Sequence, residues 1–166
     1  FDTPKPTFRH VDYVGYQAHR PTTDSELSEQ FDVMYKVLDA MRIPMYKLEG
    51  YEADDVIGTI AKQASTDEVV IVTGDRDILQ LVDEKVKVYM PVRGMSEGKL
   101  YGDEEVEERL GVKPTQVVDY KALVGDPSDN YPGVAGIGPK TAMGLIKEYG
   151  TLENIYKNLG GIPERI

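Results

Sequence analysis

Val69-Val70-Ile71-Val72-Thr73-Gly74-Asp75-Arg76-Asp77 decides the fold. Four β-branched residues in an unbroken run predict a strand buried on both faces of a parallel sheet. In open α/β sheets, ligands sit beyond the carboxyl ends of the strands. Asp75 and Asp77 occupy that place here, followed by a short helix through Leu81. Upstream, Tyr51-Glu52-Ala53-Asp54-Asp55 stands at the front of an apolar stripe of Ala53, Val56, Ile57, Ile60, Ala61 and Ala64. That spacing predicts a helix with one face on a core. Downstream, Val86 to Met90 reads as a strand and Pro91 to Leu100 as a hairpin containing Gly94 and Gly98.

Farther out, Ser25 to Arg42 has helical spacing, with Asp24 as N-cap and Pro44 as the stop. Met45 to Leu48 reads as a short strand, and Phe1-Asp2 as the end of one. Asp103 to Leu110 is an acidic helix closed by Gly111, and Pro114 opens another that runs to about Val124. Strands alternate with helices to about residue 90 and helices follow. The fold class is therefore α/β, a mostly parallel sheet flanked by helices, with a helical C-terminal part.

A chain of 166 residues is large enough to bury a real core in one compact domain, with or without a small appendage. No apolar run approaches the ~20 residues of a membrane span. Cys is absent, which excludes disulfides and thiolate metal sites. The chain starts at Phe1 without an initiator Met and shows no signal peptide, so a fragment or processed product is expected. A net charge of -10 argues against nucleic acid, whose affinity rests on phosphate neutralisation. That objection weakens if many acids are metal ligands concentrated in one place, because binding depends on the local field.

Each motif carries a bland reading beside a sharper one. Glu52, Asp54 and Asp55 complement a helix dipole, each contributing about 0.3–1 kcal/mol, or they gather a divalent cation that relieves their mutual repulsion. Gly125-Asp126-Pro127-Ser128-Asp129-Asn130 is a capping turn, or it supplies two more carboxylate ligands. Arg9, His10, Tyr13, Tyr16, His19 and Arg20 interleave rings with base, as in nucleic-acid contact or in a solvated loop with core-facing rings. Pro132 to Ala142 is more specific. Gly136 and Gly138 allow a turn of unusual φ, Pro139 suits the first helical position, and the helix buries Ala142, Leu145, Ile146 and Tyr149. Free amides at its start, beside glycines that allow close approach and next to Lys140, form a phosphate site.

Together these segments resemble the 5′-nuclease domains of bacterial DNA polymerase I, in the flap endonuclease family. The matching elements are Phe1-Asp2 with Phe8-Arg9, Tyr16 to Arg20, Tyr51 to Asp55, Thr73 to Asp77, Gly125 to Asn130 and a helix-hairpin-helix at Pro132 to Ala142. They occur in family order along nearly the whole chain. The resemblance implies a PIN-like or resolvase-like core over 1–110 that lacks its N-terminal strand, and a DNA-binding helical region over 111–166. It implies metal binding by Asp2, Glu52, Asp54, Asp55, Asp75, Asp77, Asp126 and Asp129, with Asp2, Arg20, Glu52 and Asp54 catalytic. DNA contact falls on Arg9, Arg20, Gly136, Gly138, Lys140 and Thr141, often with a monovalent cation at the hairpin. Gln17 stands where the family usually has Lys.

The implied activity is a structure-specific 5′-3′ exonuclease or 5′-flap endonuclease of DNA replication and repair, in a monomer of the bacterial cytosol, with a polymerase domain fused or separate. The alternative is a catalytically impaired DNA-junction-binding domain of the same family. Hard carboxylates select Mg²⁺, with Mn²⁺ as a substitute. Two such ions about 3.5–4 Å apart suit in-line phosphodiester cleavage.

Overall fold

In a computed structural model of the chain, residues 1–21, 23–94 and 97–162 are described. They form two compact units, Phe1–Val56 with Ser128–Asn130, and Ile57–Pro127 with Tyr131–Ile166.

The first unit holds the short helix α1 (Phe8–Asp12), helix α2 (Ser25–Ala40) and the start of helix α3 (Ala53–Gln63). The Asp24 side chain accepts from the Glu26 amide, the N-cap its position predicts. Helix α1 falls within the aromatic and basic stretch for which the sequence predicts no helix; its start is capped through His10 Nδ1, which accepts from the Thr7 amide at 3.2 Å. No residue of α2 is buried, and Leu27, Phe31 and Val37 of its apolar stripe are exposed. Periodicity predicts which face is apolar, whereas burial depends on what lies over it. Only Thr7 and Tyr16 are buried among the described residues of this unit. Rings and single bonds hold it instead. Phe1 packs edge-on to Tyr35 with centroids 5.1 Å apart, Lys47 lies 3.5 Å from the Tyr35 ring centroid, and the Phe8 amide donates to Gly50 O. Met45 to Leu48 pairs in no ladder among the described residues; the Tyr46 carbonyl accepts from the Phe1 ammonium at 2.8 Å.

The second unit carries the sheet and the core. Strands β1 (Val69–Val72) and β2 (Val86–Arg93) pair in parallel, Val69 opposite Val86. Strand β3 (Glu97–Tyr101) returns antiparallel, Val88 opposite Tyr101, in the order β1-β2-β3. Of the hairpin expected over Pro91 to Leu100, Met95 and Ser96 lie outside the described residues. Burial on both faces of β1 does not hold: Ile71 is 7% exposed, but Val70 is 48% and Val72 52%. The strand is an edge of the sheet and only one face packs, so β-branched composition reports strand propensity more than cover. In α3, Gly58 and Ala61 are buried while Ile60 is 43% exposed, so the stripe is narrower than its apolar residues suggest.

A 3₁₀ helix at Asp77–Leu81 plugs Ile78 and Leu79 into the core, both at 2% exposure or less. Helices α4 (Asp103–Leu110), α5 (Val117–Val124), α6 (Pro139–Tyr149) and α7 (Leu152–Lys157) follow. They add Val106, Val117, Leu123, Leu145, Ile146 and Ile155 to the same cluster. The α/β architecture with a helical C-terminal part is thus present, its described sheet mixed, with one parallel and one antiparallel pair.

Candidate active site

Each unit positions its own set of carboxylates. In the first, Asp2 Oδ1 accepts from the Ala53 amide at 2.8 Å, at the start of α3. Asp55, in the first turn, binds the Arg9 guanidinium in a two-pronged pair, 2.7 Å on each prong, and accepts from the Glu52 amide at 3.0 Å. Arg9 holds the Asp55 carboxyl below its ordinary range, and Asp55 in return raises Arg9. Arg9 also lies 3.4 Å from Glu52 Oε2. Asp54 sits half-buried in the same turn.

Tyr16 is 4% exposed and donates its hydroxyl to Glu52, 2.8 Å to Oε1 and 3.0 Å to Oε2. Burial, then the bonded carboxylate, raises its pKa, which keeps it a neutral donor. Asp129 Oδ1 accepts from Gln17 Nε2 at 2.9 Å, while Arg20 Nη2 stays 3.5 Å away. The segment is pinned further by the Asn130 side chain on the Gly15 carbonyl and Tyr13 on the Asn130 carbonyl. The stretch read as aromatic and basic thus has its most buried ring turned onto a carboxylate.

In the second unit, the Thr73 hydroxyl accepts from the Asp75 amide, and Asp75 Oδ1 from the Asp77 amide, so the β1 end turns through two side-chain bonds. Asp75 itself is exposed. Asp77 and Asp126 converge on one ammonium group, Lys121 Nζ, which donates to Asp77 Oδ1 and, at 2.6 Å, to Asp126 Oδ2. Burial pushes the Asp77 carboxyl up, against the pull of Lys121. Burial works to lower Lys121, but its bonds to Asp126 and Asp77 leave it raised. Lys121 leaves no signal in the sequence, because Asp126 lies in the loop after α5 and Asp77 is 44 positions away, so no helical spacing relates either acid to it.

The loop carrying Asp126 is closed by two glycines. Asp126 and Tyr131 exchange both backbone bonds at 2.8 Å, and the Val134 amide donates to Leu123 O at 2.8 Å. Gly125 at φ 84° and Gly133 at φ 65° face each other across this bridge. A Cβ on Gly125 would meet Gly133 N at 2.7 Å, and one on Gly133 would meet Gly125 N at 2.4 Å. Beyond the loop, Pro139 opens α6, and Gly136, Gly138 and Lys140 are exposed with Thr141 half-buried. Gly136 has the left-handed φ of 84° that the turn requires, whereas Gly138 has an ordinary φ of -88°. What Gly138 contributes is room: an added Cβ would meet nothing within 4 Å.

Comparison with known proteins places this architecture. Residues 1–111 match the 5′-3′ exonuclease N-terminal resolvase-like domain, and residues 112–165 the 5′-3′ exonuclease C-terminal SAM fold. The chain belongs to the 5′-3′ exonuclease family. It is 46% identical to DNA polymerase I of Bacillus caldotenax over 98% of its length, and 46% identical to the thermostable DNA polymerase I of Thermus thermophilus over 100%. It spans only 19% and 20% of those proteins. Among solved structures, bacteriophage T5 flap endonuclease in a pseudo-enzyme-product complex with DNA and metal ions superposes with a TM-score of 0.82 at 28% identity, over 99% of this chain and 64% of that one. No helix among the described residues is long and apolar enough to cross a membrane.

Proposed function

We propose that the chain is the metal-dependent nuclease portion of a structure-specific 5′-3′ exonuclease or 5′-flap endonuclease, acting on DNA with a 5′ end or flap beside duplex. The observation that carries this reading is the convergence of Asp77 and Asp126 on the Lys121 ammonium. Two carboxylates from separate elements already grip a cation there, and their donors are hard oxygens of the kind that bind Mg²⁺.

The metal ligands would be Asp2, Glu52, Asp54, Asp55, Asp75, Asp77, Asp126 and Asp129, holding two Mg²⁺ or Mn²⁺ ions. When bound, such ions make a water nucleophilic and stabilise the leaving oxygen of an in-line displacement. The chain's own residues set the stage for that step. Tyr16 orients Glu52, and Arg9 fixes Asp55 in the turn that carries Asp54. Arg20, more than half exposed, is available to a phosphate. Gly136, Gly138, Lys140 and Thr141 offer the duplex backbone a close approach, with a monovalent cation at the hairpin as a further ligand. The reading divides the chain functionally near residue 110, into nuclease core and DNA-gripping region. It extends to a monomer in the bacterial cytosol, working in replication and repair beside a polymerase, fused or separate.

The test is a 5′-flap DNA incubated with the chain in Mg²⁺ or in chelator. Cleavage should need the metal, and Asp54→Asn or Asp75→Asn should lower turnover by more than the roughly 10- to 100-fold that loss of a ligand's outer partner costs, with duplex affinity kept. Duplex binding with no metal-dependent cleavage would leave a DNA-junction-binding domain. Near-wild-type cleavage by either variant would remove that residue from the reaction.

A further inference from the structure

Gln17 occupies a conformation that a residue with a Cβ adopts at a cost, φ 52° in the left-handed region. What holds it there is a set of bonds to one partner and its neighbour. The Gln17 amide donates to Asp129 O at 3.2 Å, and the side-chain Nε2 donates to Asp129 Oδ1 and to Tyr16 Oη, both at 2.9 Å. Tyr16 in turn donates its hydroxyl hydrogen bond to Glu52. A primary amide nitrogen has two hydrogens, and both are used. The reverse amide orientation would set a carbonyl oxygen against the Asp129 carboxylate, so the chemistry fixes which atom faces it. The result is a one-way relay that links two carboxylates from separate segments without adding charge.

Arg9 and Gln17 show two ways of holding an acid within the same unit. Arg9 neutralises Asp55 through a two-pronged pair, whereas Gln17 fixes Asp129 and leaves its charge intact. Arg20, 3.5 Å from Asp129 and 57% exposed, lies beyond good hydrogen-bond distance. We propose that Gln17 is a positioning residue for the nuclease reaction, an uncharged clasp that fixes Asp129 directly and Glu52 through Tyr16, and so orients both carboxylates toward a divalent cation without itself adding a competing charge. The proposal rests on the nuclease reading for its reaction, and on the relay alone for its effect on cation binding.

Two variants test it. Gln17→Met keeps length and removes both hydrogens; Gln17→Lys keeps donors and adds charge. Mn²⁺ binding is followed by electron paramagnetic resonance on the chain without DNA, kcat and KM are measured on a 5′-flap DNA in Mg²⁺, and thermal melts report folding. Gln17→Met should weaken Mn²⁺ binding and lower kcat by about 10- to 100-fold, the usual effect of removing a partner that orients a metal ligand, with KM little changed. Gln17→Lys should recover kcat at saturating metal yet bind Mn²⁺ more weakly, because its ammonium competes for Asp129. Wild-type Mn²⁺ affinity in Gln17→Met, or a loss confined to KM, overturns the proposal. Should Gln17→Met fail to melt cooperatively, Gln17→Lys decides, and Mn²⁺ binding as tight as wild type overturns it. If the unaltered chain cleaves no flap, the nuclease reading fails while the Mn²⁺ titrations still judge the clasp.

Discussion

The two units hold their acids by opposite means. The second gathers Leu79, Val88, Val106, Ala142 and Ile146 into a core essentially closed to solvent, and its carboxylates Asp77 and Asp126 are secured separately through Lys121. The first buries only Thr7 and Tyr16 among its described residues, and the bonds that hold it together end largely on the carboxylates themselves. In one unit the scaffold supports the acids; in the other the acids are part of the scaffold. Changes in charge should therefore be felt as changes in folding in the first unit and mainly as changes in chemistry in the second.

The largest contrast should come from truncating apolar side chains. Leu79→Ala should cost about 2–5 kcal/mol, the range for emptying a closed core position, whereas Leu27→Ala on α2 should stay within about 0.5 kcal/mol, as at ordinary surface sites. Urea unfolding of both variants measures this, and equal costs would abolish the distinction. Divalent metal comes next. A ligand of the folded state alone stabilises by about 2.7 kcal/mol at a hundredfold excess over Kd. Millimolar Mg²⁺ should thus raise the melting temperature by several degrees beyond Na⁺ at matched ionic strength, and an identical response to both salts would deny an assembled site.

Removing Arg9 tests the first unit directly. Arg9→Met should cost about 1.5–3 kcal/mol, typical of hydrogen bonds to charged groups, and should accelerate amide exchange over residues 8–20 more than in β2. Acid titration then sets the units against each other. Asp55 has a lowered pKa, so its contribution is present above the unfolded value of about 3.9 and is lost as pH falls through its folded value. Asp77 has a raised pKa, so its contribution is full below about 3.9 and fades as pH rises through its folded value. Lowering pH from 6 should therefore loosen residues 8–20 while relieving Asp77, and exchange rates resolved by residue separate the two. The smallest effect expected is for Lys140→Ala, a drop of about one in the salt slope of DNA binding if it makes one phosphate contact.

Much of this was legible in the sequence where one local rule governs. Asp24, Gly111 and Pro139 mark helix ends because caps are set by a few neighbouring atoms. The acids at the β1 end, in the first turn of α3 and in the 125–130 loop were all visible as residues. Their holders were not. Lys121 reaches Asp77 from 44 positions away and Tyr16 reaches Glu52 from 36, and no periodicity encodes such a meeting. The same reason explains Val70, Val72 and Ile60, which are apolar by composition and exposed in the fold.

The facing glycines of the 125–133 loop carry a consequence for how the family can vary. Each occupies the space the other's side chain would need, and each has a φ that side chains avoid. A change at one position cannot be rescued by shrinking its neighbour, because that neighbour is already glycine. The ordinary route of drift, a loss at one site followed by compensation at the next, is closed here. In a library randomised at residues 125 and 133, the folded members should keep glycine at both positions. The short stretch joining Asp126 to the helical hairpin would then vary in its tip and not in its hinge points.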